Sequence, residues 1–504
     1  MLPGMTEMAT DPGGSPASGI RRRRLLVAGA LLVIVAAVAV GTQLLRPAPT
    51  ENLPTRLRDA VSVEAVMADL AALEGIADAN GGMRASGTAG YDASVGYVSD
   101  QLRAAGYDVH LDTLQIATFL ETGPGSATIE PGAGGTAPAG RTTFTMGEDF
   151  RPMIFSAAAA DLVAPIRPVE YDPRPGADTS AAKGCRDGDF DGVTAGSIIL
   201  VLPGPCTRRE VVDRAVAVGA AGLVVAYPSW DAGAVRRPTL ITPGVTIPVL
   251  ATTREVGSAL LAAAQAGLSL RLTVPVETAQ RPTANVVAET ARGDPGHVVV
   301  LGGHLDSVMD GPGINDNGSG AMAVLEVARQ LADLDPRWKV RFGFWAGEET
   351  GLFGSFHYLQ GVSQGDRDAI AAYLNLDMLG SPHGVRLVYA SPSAPAGSDR
   401  ITGLFGAALD AATLAWEPID LPSGSDHFAF NQFGIATGGL YSGSLETPTA
   451  DQAQRFGLDQ ATPFDACYHV ACDRVANVDP DLLGQMLRAL AEVTGTIAAG
   501  ESGL

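Results

Sequence analysis

The sequence predicts an α/β protein in which a mostly parallel mixed sheet is sandwiched by helices, interrupted by a β-rich insert and preceded by an N-terminal transmembrane helix. Three observations carry this. From Val286 onward, short apolar runs alternate regularly with stretches of helical periodicity, the pattern of parallel strands joined by covering helices. Between residues 118 and 276 the texture shifts to Gly, Pro and Ala with short apolar runs. Leu25 to Leu45 forms an almost uninterrupted apolar run without a charge, directly behind Arg21 to Arg24. At 504 residues the chain exceeds the size at which one hydrophobic core stops growing, so two globular units with connecting material are expected.

Taken in order, residues 1–24 have little to bury and read as a disordered cytoplasmic tail. Residues 25–45 are about long enough to cross ~30 Å of hydrocarbon as a helix. The four arginines before them favour a cytoplasmic N-terminus, which sends the rest of the chain across the membrane. A signal peptide cut around Ala36 to Gly41 is the alternative. The expected address is therefore the cell membrane, single-pass with the catalytic part outside the cytoplasm, or secretion if the segment is cleaved. Residues 46–58 read as a linker. In 59–117, apolar residues recur at helical spacing over Val63 to Leu73 and Tyr91 to Ala105, with the Gly-rich stretch Asn80 to Gly90 between them, and Tyr107 to Ile116 reads as a strand. Within the insert, 118–276, strands at Ser197 to Leu202 and Gly222 to Ala226 flank a helix over Glu210 to Gly219, a βαβ unit. Residues 277–504 give strand His297 to Gly303, helix Asn317 to Leu334, strand Val340 to Ala346, helix Leu352 to Gln360 and strand Ala372 to Met378. Ligands in such folds bind beyond the carboxyl ends of the strands.

A formal net charge of -21, with lysine only at Lys183 and Lys339, excludes nucleic acid as a partner, because phosphate binding needs clustered cations. No obligate protein partner is evident. The four cysteines fall as two local pairs, Cys185 with Cys206 and Cys467 with Cys472, in a chain bound for an oxidising compartment, so two disulfides are the economical assignment. Neither pair has the C-x-x-C spacing that recurs in structural zinc sites.

The chemistry-bearing residues sit at strand ends. Strand His297 to Gly303 delivers His304-Leu305-Asp306, whose alternate positions project an imidazole and a carboxylate to one side. Asp316 lies in a glycine-rich helix entrance where Asn317 or Ser319 can take the capping role, leaving Asp316 free for metal. Glu348 and Glu349 are adjacent acids at a strand-to-helix junction, a costly pair without a compensating cation or a proton. Asp377 interrupts a run that should be buried on both faces, and a buried carboxylate needs a partner. A further histidine is required. His427 in Ser425-Asp426-His427 and His469 in Cys467-Tyr468-His469 both qualify, and spacing does not choose between them.

The stretches NGGMRASGTAGYDAS, GGHLDSV, GINDNGSG, WAGEETGLFGS, LNLDMLGS, GSDHFAF and CYHVACD, in this order, resemble the dizinc exopeptidase family M28, which contains the secreted bacterial aminopeptidases of the Streptomyces type. The likeness covers roughly Val63 to Ile116 and Asn285 to Ala498. It implies a zinc-peptidase fold of the phosphorylase/hydrolase-like kind and two zinc ions per chain. His304 and Asp377 would hold one ion, Glu349 and His469 the other, and Asp316 would bridge them. Glu348 becomes the general base, Asp306 the acid that orients the His304 side, and Tyr468 the hydroxyl that polarises the substrate carbonyl. His427 would sit near the substrate pocket without binding metal. The implied reaction removes N-terminal residues from a peptide substrate with a free N-terminus. A dizinc carboxypeptidase or N-acyl amino-acid hydrolase, and a non-catalytic binding protein on the same fold, are the alternatives. Two positions depart from the Streptomyces type: Gly424 replaces an arginine beside the pocket, and Tyr441 replaces a pocket phenylalanine. The insert resembles a protease-associated (PA) domain through Gly184-Cys185 and Ile198 to Tyr227.

Overall fold

The computed structural model describes residues 53–131, 140–172, 174, 177–180, 184–230 and 235–504. The tail 1–24 and the apolar segment 25–45 expected to cross the membrane lie outside them. No helix among the described residues is long and apolar enough to do so. Part of the expected linker 46–58 is instead helical, Leu53–Ala60. Leu53 and Leu57, one turn apart, are buried, and this helix packs on the C-terminal helix Pro480–Ala498.

Eight strands form the first sheet: β1 (Val109–Glu121), β2 (Val276–Glu289), β3 (Asp294–His304), β4 (Trp338–Trp345), β5 (Ile370–Leu376), β6 (Leu387–Tyr389), β7 (Glu417–Ile419) and β8 (Thr437–Tyr441). Their order is β1-β2-β4-β3-β5-β8-β6-β7. The central four, β4, β3, β5 and β8, run parallel; β1 and β2 pair antiparallel with their neighbours, and β6 is antiparallel to β8 but parallel to β7. Val298 to Leu301 at the centre are buried, as expected of a strand covered on both faces. On one face lie Val63–Ala79, Ala89–Ala104, Gly320–Leu331 and Pro480–Ala498, whose apolar sides share one core with the strands. On the other, Phe353–Gly361 and His427–Gln432 bring Tyr358 and Phe430 against Trp345 and Tyr373. Phe430 stacks on Tyr373 with ring centroids 3.6 Å apart.

The insert leaves and rejoins this sheet at one place, because β1 and β2 pair from Val109 opposite Ala288 to Glu121 opposite Val276. Between them a second eight-stranded sheet has its own apolar core. It is less purely β than the sequence suggested. Its strands Ala159–Pro168, Ile198–Val201, Gly222–Tyr227 and Val249–Thr253 are parallel and accompany the helices Arg208–Ala217 and Arg254–Gln265. The expected βαβ unit is present, with its helix starting earlier than Glu210 because Thr207 and Glu210 form a capping box. Cys185 and Cys206 are disulfide-bonded within the insert, as are Cys467 and Cys472 in the first unit.

Candidate metal centre

Beyond the carboxyl ends of β3, β4 and β5 the chain gathers His304, Asp306, Asp316, Glu348, Glu349, Asp377, Tyr468 and His469. β3 carries His304 directly at its end. Gly303 precedes it because a β-carbon there would lie 2.7 Å from the Leu376 carbonyl oxygen. The Nδ1–H of His304 donates to the Asp306 carbonyl at 3.1 Å, which fixes the tautomer and leaves Nε2 facing the cleft. There Nε2 lies 3.3 Å from Asp316 Oδ1 and 3.6 Å from Asp377 Oδ1.

Asp316 owes its freedom to its neighbour. Asn317 Oδ1 accepts the N–H groups of Gly320 and Met378, so it tethers the start of helix Gly320–Leu331 to the end of β5. The second Asp316 oxygen turns the other way, with Oδ2 3.0 Å from His469 Nε2. Glu349 Oε2 lies 3.1 Å from the same nitrogen. One carboxylate thus faces an imidazole with each oxygen, and each imidazole has a further acid beside it. Left-handed backbone at Gly347 (φ 67°) turns the chain from β4 into the single helical turn Glu348–Gly351 and presents both glutamates. The Glu348 N–H donates to Asp306 Oδ1 at 3.3 Å, so Asp306 touches the turn carrying the acids as well as flanking His304 Nδ1 at 3.6 Å. Asp377 Oδ2 accepts from Ser425 at 2.6 Å, which aims its other oxygen at the cleft.

The electrostatics call for a cation. Five acids surround two imidazoles, and Asp316 Oδ2, Glu349 Oε1 and Asp377 Oδ1 are buried without a hydrogen-bond donor. Burial, reinforced by Asp316, pushes the Glu349 carboxyl up to about 7 against the pull of His469. Glu348 is raised well above the carboxylate range by burial and by Glu349, Asp426 and Asp377. Burial disfavours the charged form of His304, yet Glu348, Asp306, Asp316 and Asp377 carry its pKa well above the ordinary value. Both His304, Glu348 and Asp377 and His304, Asp316 and Glu349 offer ligand atoms within 4.8 Å of one another. Nitrogen and carboxylate donors in such clusters suit zinc, so the residues present fit the ion the sequence implied.

Met378, Tyr389, Leu421, Gly424, Tyr441 and Tyr468 line the cleft of about 110 Å³ over this cluster. His427 does not line this cleft; its Nε2 lies 2.7 Å from the Leu421 carbonyl and its ring borders a separate cavity of about 390 Å³ behind Tyr389 and Leu421. Tyr468 stacks on His469, with centroids 3.7 Å apart.

Several supporting residues carried no signal in spacing. Arg84 is fully buried and donates to the carbonyls of Leu305, Pro312 and Gly313, clamping the loop that joins His304 to Asp316. Asp473 accepts the backbone N–H groups of Asn315 and Asp316 at 2.7 and 3.0 Å. Arg84 and Asp473 stand within resembling stretches, but only their tertiary contacts give them a task.

A mixed sheet, parallel at its centre and covered on both faces, with an acid- and imidazole-lined cleft at its carboxyl ends, is an α/β scaffold carrying a candidate metal site. Residues 285–494 match the model of peptidase family M28, and residues 159–260 match that of the PA domain. An aminopeptidase of Pseudomonas aeruginosa is 37% identical over 457 residues, 89% of this chain and 83% of that protein. A probable lipoprotein aminopeptidase of Mycobacterium tuberculosis is 35% identical over 443 residues, 85% of this chain and 83% of the other. The fold matches that of an aminopeptidase from Aneurinibacillus sp. strain AM-1 with a TM-score of 0.68 at 20% identity, covering 88% of this chain and 96% of that one. A zinc aminopeptidase from Bacillus subtilis gives 0.65 at 21% identity, with 86% and 94% covered. The chain belongs to peptidase family M28, as a zinc metallopeptidase of the aminopeptidase type with an inserted PA domain.

Proposed function

We propose that the chain removes N-terminal residues from peptides with two zinc ions, His304 and Asp377 holding one, His469 and Glu349 the other, and Asp316 bridging. The observation that carries this is the Asp316 carboxylate facing His304 Nε2 with Oδ1 and His469 Nε2 with Oδ2. When bound, the ions supply Lewis-acid polarisation of the scissile carbonyl and make water acidic enough to react near neutral pH. Glu348 takes the proton from the attacking water and returns it to the leaving amine. Tyr468 donates its hydroxyl proton as a hydrogen bond to the developing oxyanion. Asp306 orients His304, and Ser425 orients Asp377.

The insert, taken as residues 118–276, limits the size of substrate that reaches the cleft in this reading. Its deletion is expected to broaden substrate size. Two disulfides support an oxidising, extracytoplasmic address, to which the segment 25–45 directs the chain. A panel of aminoacyl nitroanilides with and without chelator tests the activity. Cleavage that requires a free α-amine and is abolished by chelation is the expected result. Cleavage of N-acylated substrates in preference would favour the acyl-amino-acid hydrolase instead.

A further inference from the structure

Two neighbouring arginines of the insert reach the two loops that carry the metal-centre residues. Arg237 is 3% exposed and pairs with Asp310, 6% exposed, through Nε to Oδ2 at 2.9 Å and Nη2 to Oδ1 at 3.0 Å. Arg237 also pairs with Glu121 and donates to the Pro152 carbonyl at 3.0 Å, while Arg151 pairs with the same Asp310. Asp310 lies on the loop between His304 and Asp316. Arg236 reaches the other loop: its Nε donates to the carbonyl of Tyr468 at 3.2 Å and its Nη2 to that of Ala466 at 3.1 Å.

The Tyr468 carbonyl belongs to the peptide that joins Tyr468 to His469. That peptide links the two residues whose rings are stacked, so its backbone angles help set where both the phenol and the imidazole lie. The backbone at His469 is left-handed (φ 62°), a conformation that a β-carbon disfavours and that surrounding contacts must therefore maintain. Arg236 grips the two carbonyls that lead into it with one planar group, which fixes the orientation of the loop better than a single contact would.

We infer that Arg236 is a positioning residue of the peptidase, supplied by the insert, which holds Tyr468 and His469 at the geometry the reaction needs. The insert is then part of the active site's scaffold as well as a barrier at its entrance. This rests on the reading of His469 as a zinc ligand and Tyr468 as the oxyanion donor. A barrier alone predicts no effect of Arg236 on a substrate with a single residue.

The test uses the full chain with Arg236→Ala, Arg236→Lys and, as a control elsewhere on the insert, Arg214→Ala. Leucine p-nitroanilide turnover, zinc titration of the chelator-treated protein by calorimetry and thermal melting are measured for each. In Arg236→Ala, kcat is expected to fall about tenfold or more with KM within about twofold, and the weaker zinc equivalent to bind about tenfold less tightly. Arg236→Lys recovers part of both, since an ammonium can still hold one carbonyl, and Arg214→Ala behaves as the wild type. Wild-type kcat and zinc affinity in Arg236→Ala overturn the inference. So does a loss of activity that tracks a lowered melting temperature equally in the Ala and Lys variants, which makes Arg236 a docking contact only. Failure of the functional reading is separate: it is absence of chelator-sensitive turnover in the wild type.

Discussion

Replacing Arg84 by Met removes a buried charge while keeping most of its apolar volume. The guanidinium donates to three buried carbonyls, those of Leu305, Pro312 and Gly313. Each stranded buried acceptor costs roughly 1–3 kcal/mol. Part is recovered, because the charge is itself unfavourably buried: desolvation lowers the Arg84 pKa to about 10, despite the nearby Asp306, Asp473 and Asp316. The net loss is then about 3–5 kcal/mol, the range seen when one member of a buried charged network is removed. At roughly 1 °C per kcal/mol for a chain of this size, because the unfolding entropy grows by about 2.1 cal/mol/K per residue, the melting temperature should fall by about 3–5 °C. Scanning calorimetry with zinc in excess measures it. Turnover of leucine p-nitroanilide at a temperature where both proteins are folded should fall at least tenfold, because the clamped loop carries Asp306 and leads into Asp316. A melting temperature within about 2 °C of the wild type would refute the clamp.

Glu348→Ala should keep both zinc ions by metal analysis and lose about 10²–10⁴-fold in kcat, the range for removing a general base; retained turnover would sink that assignment. His469→Ala should lower the zinc content by about one equivalent per chain, while His427→Ala keeps both, since only His469 lies beside Asp316 and Glu349. Equal zinc loss in the two variants would reverse the choice. Asp310→Asn tests the contact between insert and peptidase. Burial opposes the Asp310 charge, but Arg237 and Arg151 hold its pKa below the ordinary value. A depressed carboxylate contributes stability above its unfolded pKa of about 3.9 and loses it as pH falls through the folded value. The melting temperature gap between wild type and Asp310→Asn, roughly 3 kcal/mol in stability, should be constant above about pH 5 and close below pH 4. A gap that widens on acidification contradicts the pairing.

The alternation of apolar runs and helical periodicity sufficed for the parallel centre of the sheet, because a strand covered on both faces has to be apolar throughout. The same logic exposed Asp377, an acid ending a buried strand, and the adjacent Glu348 and Glu349, which repel without a compensating charge. These are local signals, and one sequence carries them. Element ends were less legible. Asn317 was read as helix, but its side chain ties the helix start to β5 and the regular helix begins at Gly320. Most of the helix Leu53–Ala60 falls in the expected linker 46–58 because two buried leucines are too few to show a period, and the helix forms on the surface that Pro480–Ala498 provides.

What the sequence alone determined is which side chains could do chemistry and on which strand ends they fall. Only the tertiary structure decided how they meet. Spacing left His427 and His469 open and the resemblance named His469; the structure gives the physical reason, with the loop of Cys467 to Cys472 bringing His469 beside Asp316 while the His427 ring borders the cavity lined by Tyr389 and Leu421. Arg84, Asp473 and Arg236 act on backbone groups of 305–316 and 466–469, some of them more than two hundred residues away. Such contacts leave no periodicity or spacing, since a carbonyl accepts a hydrogen bond whatever its side chain.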